Sequence, residues 1–316
     1  MRFWWEREPP AWSLLLAPAA AAWRAGAALQ RALARPVQAA VPVISVGNLA
    51  VGGTGKTPVA LELAARLLRR GRKPAVLSRG YGRRSRAERR VAADARAEEV
   101  GDEPLLMARR GLTVWVGPRR AALAPRAVEQ GADVLILDDG LQHHALARDL
   151  DVIVADASNL FGNGALLPRG PLRELPSALG RVRNGILWLT RCDLPRDPRV
   201  EALPDLPLVE SAYQARADLR GRRVFLFAGI ARPDGFVETV RGLGAEIAGT
   251  RWFRDHHLFS ARELEELRAH AAGATLVTTE KDLARIEQPR GIVEVKVELR
   301  ILRGEDALER ALGAIL

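Results

Sequence analysis

An α/β fold with a mostly parallel sheet, a second and smaller α/β domain, and an N-terminal membrane-associated helix is predicted from three observations. Short apolar runs alternate with helical stretches, the pattern of a sheet covered by helices. One run leads through the glycine-rich turn GGTGKT into an amphipathic stretch, which makes the larger domain a sheet of the P-loop NTPase type. A tryptophan-rich apolar segment precedes both.

The strands of the larger domain are expected at 41–46, 75–78, 112–116, 134–137, 152–155 and 186–189, each a short run of Val, Leu and Ile. Helices are expected at 59–70 and 119–130. A second unit begins near Gly221, with strands at 224–228, 246–250, 275–278 and 292–302 and a helix at 261–271. Residues 192–208 carry four prolines and no clear period, so the boundary is placed just after them. The resulting organisation is an N-terminal helix (1–40), a P-loop domain (41–215), a smaller α/β domain (216–303) and a C-terminal helix (304–316) that returns to the first domain.

The 316 residues carry a formal charge of +10, almost all from arginine, since lysine occurs only at Lys56, Lys73, Lys281 and Lys296. Such a surface attracts phosphates, anionic headgroups or nucleic acid without choosing among them. The arginines are scattered and not interleaved with aromatic residues, which argues against nucleic acid. A single cysteine, Cys192, excludes an intrachain disulfide and a cysteine-cluster metal site. Nothing in the sequence fixes an oligomeric state.

Residues 11–23 read AWSLLLAPAAAAW. That is short of the ~20 residues that span a bilayer. Glu6 and Glu8 offset Arg2 and Arg7, so the positive n-region of a signal peptide is missing. The remaining reading is an interfacial helix, with Trp4, Trp5, Trp12 and Trp23 at headgroup depth and Arg24, Arg31 and Arg35 facing anionic lipid.

The sharpest local signal is VPVISVGNLAVGGTGKTPVALELAARLL. Gly52, Gly53, Thr54 and Gly55 let backbone N–H groups close around phosphate oxygens, and the following helix adds its dipole. Lys56 would reach the β- and γ-phosphates of a nucleotide, and the Thr57 hydroxyl would ligate Mg²⁺. Ala50 stands where the strict motif has glycine. ADVLILDDGLQHH supplies carboxylates at the end of another strand: Asp139 is expected to serve Mg²⁺, directly or through water, with Asp138 beside it. His143 and His144 read as loop or acceptor-site residues. After the strand at 186–189, Thr190-Arg191-Cys192-Asp193 approaches the guanine-reading signature of GTPases but lacks its asparagine, which keeps a GTPase or metallochaperone open as an alternative.

Further segments look like site loops: LSRGYGRR, VGDEPLL, GNGALLPRGPLRE, FAGIARPDGF, DHHLFS and TTEKD. Together with the P-loop and LILDDGLQHH they resemble, in order and wording, the tetraacyldisaccharide 4′-kinases of lipid A biosynthesis. FWWEREPPAWSLLLAP resembles that family's membrane-associated N-terminus. The resemblance implies phosphoryl transfer from ATP to the 4′-hydroxyl of a tetraacyldisaccharide 1-phosphate at the cytoplasmic face of the bacterial inner membrane. It implies that Asp102 acts on the hydroxyl proton with a histidine of DHHLFS, with His256, which directly follows Asp255, preferred over His257; that Asp138, Asp139 and Glu174 serve metal and nucleotide; and that Arg173 is the best-placed cation for the phosphates, ahead of Arg79 and Arg83. Because the boundaries above put Asp102 in the first domain and His256 in the second, a shared role is expected to need closure of the two.

Overall fold

The computed structural model describes residues 2–230, 233–254 and 257–316. In chain order the first elements are α1 (Ala17–Leu33), β1 (Val43–Gly47), α2 (Lys56–Arg69), β2 (Pro74–Ser78), β3 (Arg89–Arg90), α3 (Ala97–Val100) and α4 (Asp102–Arg109). There follow β4 (Thr113–Val116), α5 (Arg120–Glu129), β5 (Val134–Asp138), β6 (Leu150–Asp156), β7 (Gly185–Thr190), β8 (Leu208–Arg216) and β9 (Arg223–Ala228). The last are α6 (Pro233–Gly242), β10 (Glu246–Trp252), α7 (Ala261–Ala271), β11 (Thr275–Thr279), α8 (Glu280–Leu283), β12 (Ile292–Arg303) and α9 (Glu305–Gly313). They form two compact units: Met1–Arg79 with Leu112–Tyr213 and Leu299–Leu316, and Gly80–Gly111 with Gln214–Glu298.

In unit 1 the strands lie in the order β8-β7-β6-β1-β5-β2-β4, every neighbouring pair parallel. β1, β2, β5, β6 and β7 are buried along their whole length, as parallel strands covered on both faces must be. Parallel alignment puts the C-terminal ends of β1, β2, β5 and β7 on one edge, where open α/β sheets bind ligands. α2 inserts Val59, Ala60, Leu63, Ala64 and Leu67 into the core, one stripe at helical spacing. Its outer face is met by α9: Arg66 pairs with Glu305 and Glu309 at 2.8 and 2.6 Å, and Arg70 also pairs with Glu309. Gly304, just before α9, has φ +83, and a Cβ there would lie 1.9 Å from the Leu208 carbonyl oxygen, so only glycine permits this approach.

β8 was not expected from the sequence. It buries polar residues that blur the apolar run: Glu210 accepts from Arg196 at 2.7 Å, and Ser211 accepts from Trp188 at 2.9 Å. At the N-terminus, the helix begins later than the apolar segment. Residues 11–16 form a 3₁₀ turn, and Pro18 sits in the first turn of α1, where its missing N–H costs nothing. Ala20 is the buried residue of α1, whereas Trp12, Leu14, Leu15, Trp23, Leu29 and Leu33 are exposed. Two of the four tryptophans differ from the expected headgroup placement. Trp4 donates to the Pro168 carbonyl at 3.0 Å and Trp5 packs near Gly52, so these two rest on the protein. No helix among the described residues is long and apolar enough to cross a membrane.

Unit 2 has a parallel sheet in the order β10-β9-β11-β12. α7 starts with a capping box, in which Ser260 and Glu263 satisfy each other's backbone N–H. The sequence boundaries placed 80–111 in the P-loop domain, but this excursion belongs to unit 2. Polar ties account for it: Arg285 donates to Asp102, and Arg110 donates to Glu280 at 2.8 Å. Asp102 thus shares a unit with residues 257–260, the described part of DHHLFS, and its placement in the first domain is corrected. The segment VGDEPLL, read as a loop, opens α4, since Pro104 falls in the first helical turn, which tolerates it.

Candidate active site

β1 ends at Gly47 and hands the chain to the glycine loop. Two polar anchors shape that loop from below. The buried Asn48 side chain donates to Thr54 Oγ1 at 2.7 Å, and Thr190 Oγ1, from the end of β7, donates to the Thr54 carbonyl at 3.1 Å. Gly52 and Gly55 have φ of +105 and +95, values that L side chains rarely adopt. A Cβ on Gly55 would also lie 2.2 Å from Tyr213 Oη. Gly55 is the N-cap of α2, so Lys56 and Thr57 form the first turn, with backbone N–H groups unpaired by the helix itself.

The carboxylates come from the end of β5. Asp138 accepts from Ser78, at the end of β2, at 2.8 Å and is buried. Asp139 is left-handed, with φ +50. Its carboxylate gathers the positive charge of the site: Arg173 Nη1 lies 2.6 and 2.8 Å from its two oxygens, and Lys56 Nζ is 3.4 Å away. Burial pushes the Asp139 carboxyl up, but Lys56, Arg173 and Arg120 outweigh burial and hold it at about 2. Beneath the turn, the buried Arg120 donates to the carbonyls of Asp138 and Asp139, which fixes the left-handed backbone. Burial and the charges of Arg120 and Arg148 push His143 down to about 4, so its ring is neutral at physiological pH.

Glu174 takes a different place from the expected one. Its carboxylate is buried, pairs with Arg31 of α1 at 3.4 Å and with Arg181, and accepts from Gln142 at 3.2 Å. Both oxygens are engaged by donors, so the metal role expected for Glu174 is not supported; it braces Gln142, which in turn accepts from Arg173 at 3.2 Å. The remaining donors for a cation are the Thr57 hydroxyl and the Asp138 and Asp139 carboxylates. Among the described residues no group of three or more His, Cys, Asp or Glu is arranged to hold a metal. That sparse, all-oxygen set fits Mg²⁺, which keeps waters and takes one or two carboxylates together with substrate phosphates.

In unit 2, Asp102 opens α4 after Gly101, whose φ is +92. The guanidinium of Arg285, itself buried, donates to Asp102 Oδ2 from Nε at 2.9 Å and from Nη2 at 2.6 Å. Arg285 also donates to Asp282 at 3.0 Å, and Asp282 accepts from the Gly229 N–H at 3.1 Å. His256 lies outside the described residues. Its neighbour His257 stacks on Phe253 and lies 3.0 Å from Glu263 Oε1.

A family model described as tetraacyldisaccharide-1-P 4′-kinase matches residues 12–316. The chain belongs to this family. Among its relatives, the tetraacyldisaccharide 4′-kinase of Anaeromyxobacter sp. (strain Fw109-5) is 49% identical, over 100% of this chain and 96% of that protein. The tetraacyldisaccharide 4′-kinase of Rhodospirillum centenum is 44% identical, over 97% and 93%. The fold is similar to a crystal structure of LpxK from Aquifex aeolicus in complex with ATP, with a TM-score of 0.81 and 27% identity over 96% of this chain and 99% of that one.

Within this 4′-kinase family member, unit 1 brings together Gly52, Gly53, Thr54, Gly55, Lys56, Thr57, Asp138, Asp139 and Arg173. Sequence reasoning missed Asn48, Ser78, Arg120, Gln142, Thr190 and Tyr213, which position them. Asn48, Ser78 and Gln142 lay inside quoted motifs, and Thr190 lay in the segment compared with GTPases. Arg120 and Tyr213 carried no local signal.

Proposed function

We propose that this chain transfers the γ-phosphate of ATP to the 4′-hydroxyl of a tetraacyldisaccharide 1-phosphate, a step of lipid A biosynthesis. The observation that carries the reading is the convergence of Lys56 and Arg173 on Asp139 at the mouth of the glycine loop. Phosphoryl transfer needs little covalent help from protein and much positive charge around the phosphoryl oxygens. Lys56 would draw charge from the β- and γ-phosphates, and the loop N–H groups would hold the phosphates. Arg173, steadied by Gln142, meets the negative charge that spreads over the transferring group. Mg²⁺, held by Thr57 and by Asp138 or Asp139, would supply further charge neutralisation at the phosphate oxygens.

Asp102 is the proposed acceptor of the hydroxyl proton, with His256 setting its position. Such a base contributes roughly 10²–10⁴ in rate. The doubly hydrogen-bonded contact with Arg285 orients the Asp102 carboxylate. The exposed apolar residues of the 3₁₀ turn and α1 support a protein that lies on a membrane surface, in keeping with a lipid acceptor and with the cytoplasmic face of the inner membrane. The Thr190–Asp193 segment, the basis of the GTPase alternative, instead buttresses the loop: Thr190 bonds Thr54, and Arg191 lies over the Tyr213 ring and pairs with Asp156 at 3.3 Å.

The deciding experiment incubates the protein with labelled ATP and tetraacyldisaccharide 1-phosphate in detergent micelles. A bis-phosphorylated lipid is expected. Labelled phosphate released to water only, or selective use of GTP, would refute the reading.

A further inference from the structure

The two sides of α1 carry different residues. Ala20, Trp23 and Arg31 fall on one stripe at helical spacing, and Leu29 and Leu33, both exposed, fall on the opposite side. The first stripe meets the segment that carries Arg173. Ala20 lies in the same buried apolar cluster as Leu49, Ala50 and Leu172. The Trp23 indole N–H donates to the Arg173 carbonyl at 2.9 Å, and Arg31 pairs with the Glu174 carboxylate at 3.4 Å.

Residue 173 is thereby pinned on two sides. Its backbone N–H donates to the Leu49 carbonyl at 2.7 Å, where the chain leaves β1 for the glycine loop. Its carbonyl is held by α1. Its guanidinium donates to Asp139 at 2.6 Å and to Gln142 at 3.2 Å. Gln142 is fixed in turn, since its amide donates to Glu174 and to the Asn48 carbonyl, each at 3.2 Å. Trp23 therefore acts on the backbone of Arg173, and Arg31 acts on its guanidinium through Glu174 and Gln142. Anchoring does not account for these contacts. A helix that rests on a membrane needs its apolar side for that purpose, and a hydrogen bond from Trp23 to a site residue adds nothing to partition.

A cation that meets charge developing in a transition state is effective only if it is held in place beforehand. A displacement of about 1 Å, caused far from the chemistry, can cost about 10² in rate. We propose that Trp23 and Arg31 are positioning residues for Arg173, so that α1, the helix with the exposed apolar side, also sets the rate of phosphoryl transfer. The proposal rests on the kinase reading above.

The test compares wild type, Trp23→Phe, Arg31→Gln and Arg31→Lys, with tetraacyldisaccharide 1-phosphate at saturation so that partition cancels from kcat. Trp23→Phe keeps an aromatic ring and removes the N–H donor. Both positions are partly exposed, so the variants should fold, which thermal unfolding verifies. Trp23→Phe and Arg31→Gln are each expected to lower kcat roughly two- to tenfold, the span of one net hydrogen bond. KM for ATP and sedimentation with phosphatidylglycerol vesicles should not move, and Arg31→Lys should recover part of the loss. In an Arg173→Ala background Trp23→Phe should cost nothing further, because the residue it positions is gone. Equal losses with and without Arg173 would show a general structural role and overturn the proposal. So would unchanged kcat in Trp23→Phe and Arg31→Gln, or a rise in acceptor KM or weaker vesicle binding with kcat intact, either of which would leave α1 as an anchor alone. Wild type that transfers no phosphate to the lipid would refute the kinase reading itself, and this proposal with it.

Discussion

Replacing Gly55 with alanine should separate two costs at the nucleotide loop. The backbone there has φ +95, and holding a non-glycine residue in a left-handed conformation costs about 1–2 kcal/mol. The added Cβ would lie 2.2 Å from Tyr213 Oη and 3.0 Å from Thr190 Cγ2, an overpacking that costs about 1–3 kcal/mol. Gly55→Ala should therefore destabilise unit 1 by about 2–5 kcal/mol, an effect of about 4–20 °C in Tm for a unit of this size. Tyr213→Phe removes the nearest atom of the clash and also a hydroxyl that bonds Thr190, at about 0.5–1.5 kcal/mol. The double variant should recover most of the overpacking share and none of the backbone share. Thermal unfolding of the four proteins, with nucleotide binding measured by titration, gives the coupling directly. Strict additivity of the two substitutions would show that Gly55 is required for its backbone conformation alone, and the steric argument would fail.

Asp139 has a carboxyl pKa of about 2, below the unperturbed 3.8, so its contribution to stability is present above about pH 4 and is lost as pH falls through 2. Asp139→Asn should be less stable than wild type at neutral pH, with the gap closing between pH 4 and 2 in acid unfolding. Glu174→Gln should leave the Mg²⁺ dependence of activity unchanged while costing about 1–3 kcal/mol in stability, because Arg31 and Arg181 lose their shared partner; a shifted Mg²⁺ midpoint in a metal titration would return Glu174 to the metal. Lys56→Ala should lower kcat by roughly 10²–10³ or more, the scale of one charge-stabilising donor, and Asp102→Ala should lower kcat by roughly 10²–10⁴ with ATP affinity retained, both read from steady-state kinetics and nucleotide titration. Leu14→Asp with Leu15→Asp, both at exposed positions, should weaken partition onto anionic vesicles in a sedimentation assay without changing nucleotide affinity.

The parallel strands were legible because burial on both faces turns each into an uninterrupted apolar run, as in β5 and β7. The loop at 52–57 was legible because phosphate binding constrains glycine, lysine and threonine within one short stretch. Other features depend on partners far away in sequence. Glu174 stands next to Arg173 and looked like a ligand, but one partner, Arg31, lies 143 residues earlier. Arg285 meets Asp102 across 183 residues, and that contact assigns 80–111 to its unit. β8 was hidden because Glu210 and Ser211 interrupt its apolar pattern. Arg120 acts only through backbone carbonyls, which no side-chain motif records.

The pairing of α9 with α2 bears on the order in which the molecule can assemble. The nucleotide helix is made early, yet the acidic groups that meet Arg66 and Arg70 are translated some 240 residues later. Gly304 must also reach the Leu208 carbonyl before α9 can settle. During synthesis at about 5–20 residues per second, the outer face of α2 therefore waits about 12–48 seconds for its partner. Unit 1 is a discontinuous folding unit, sealed only when residues 299–316 emerge, and a nascent chain stalled before them would present this basic helix face uncovered.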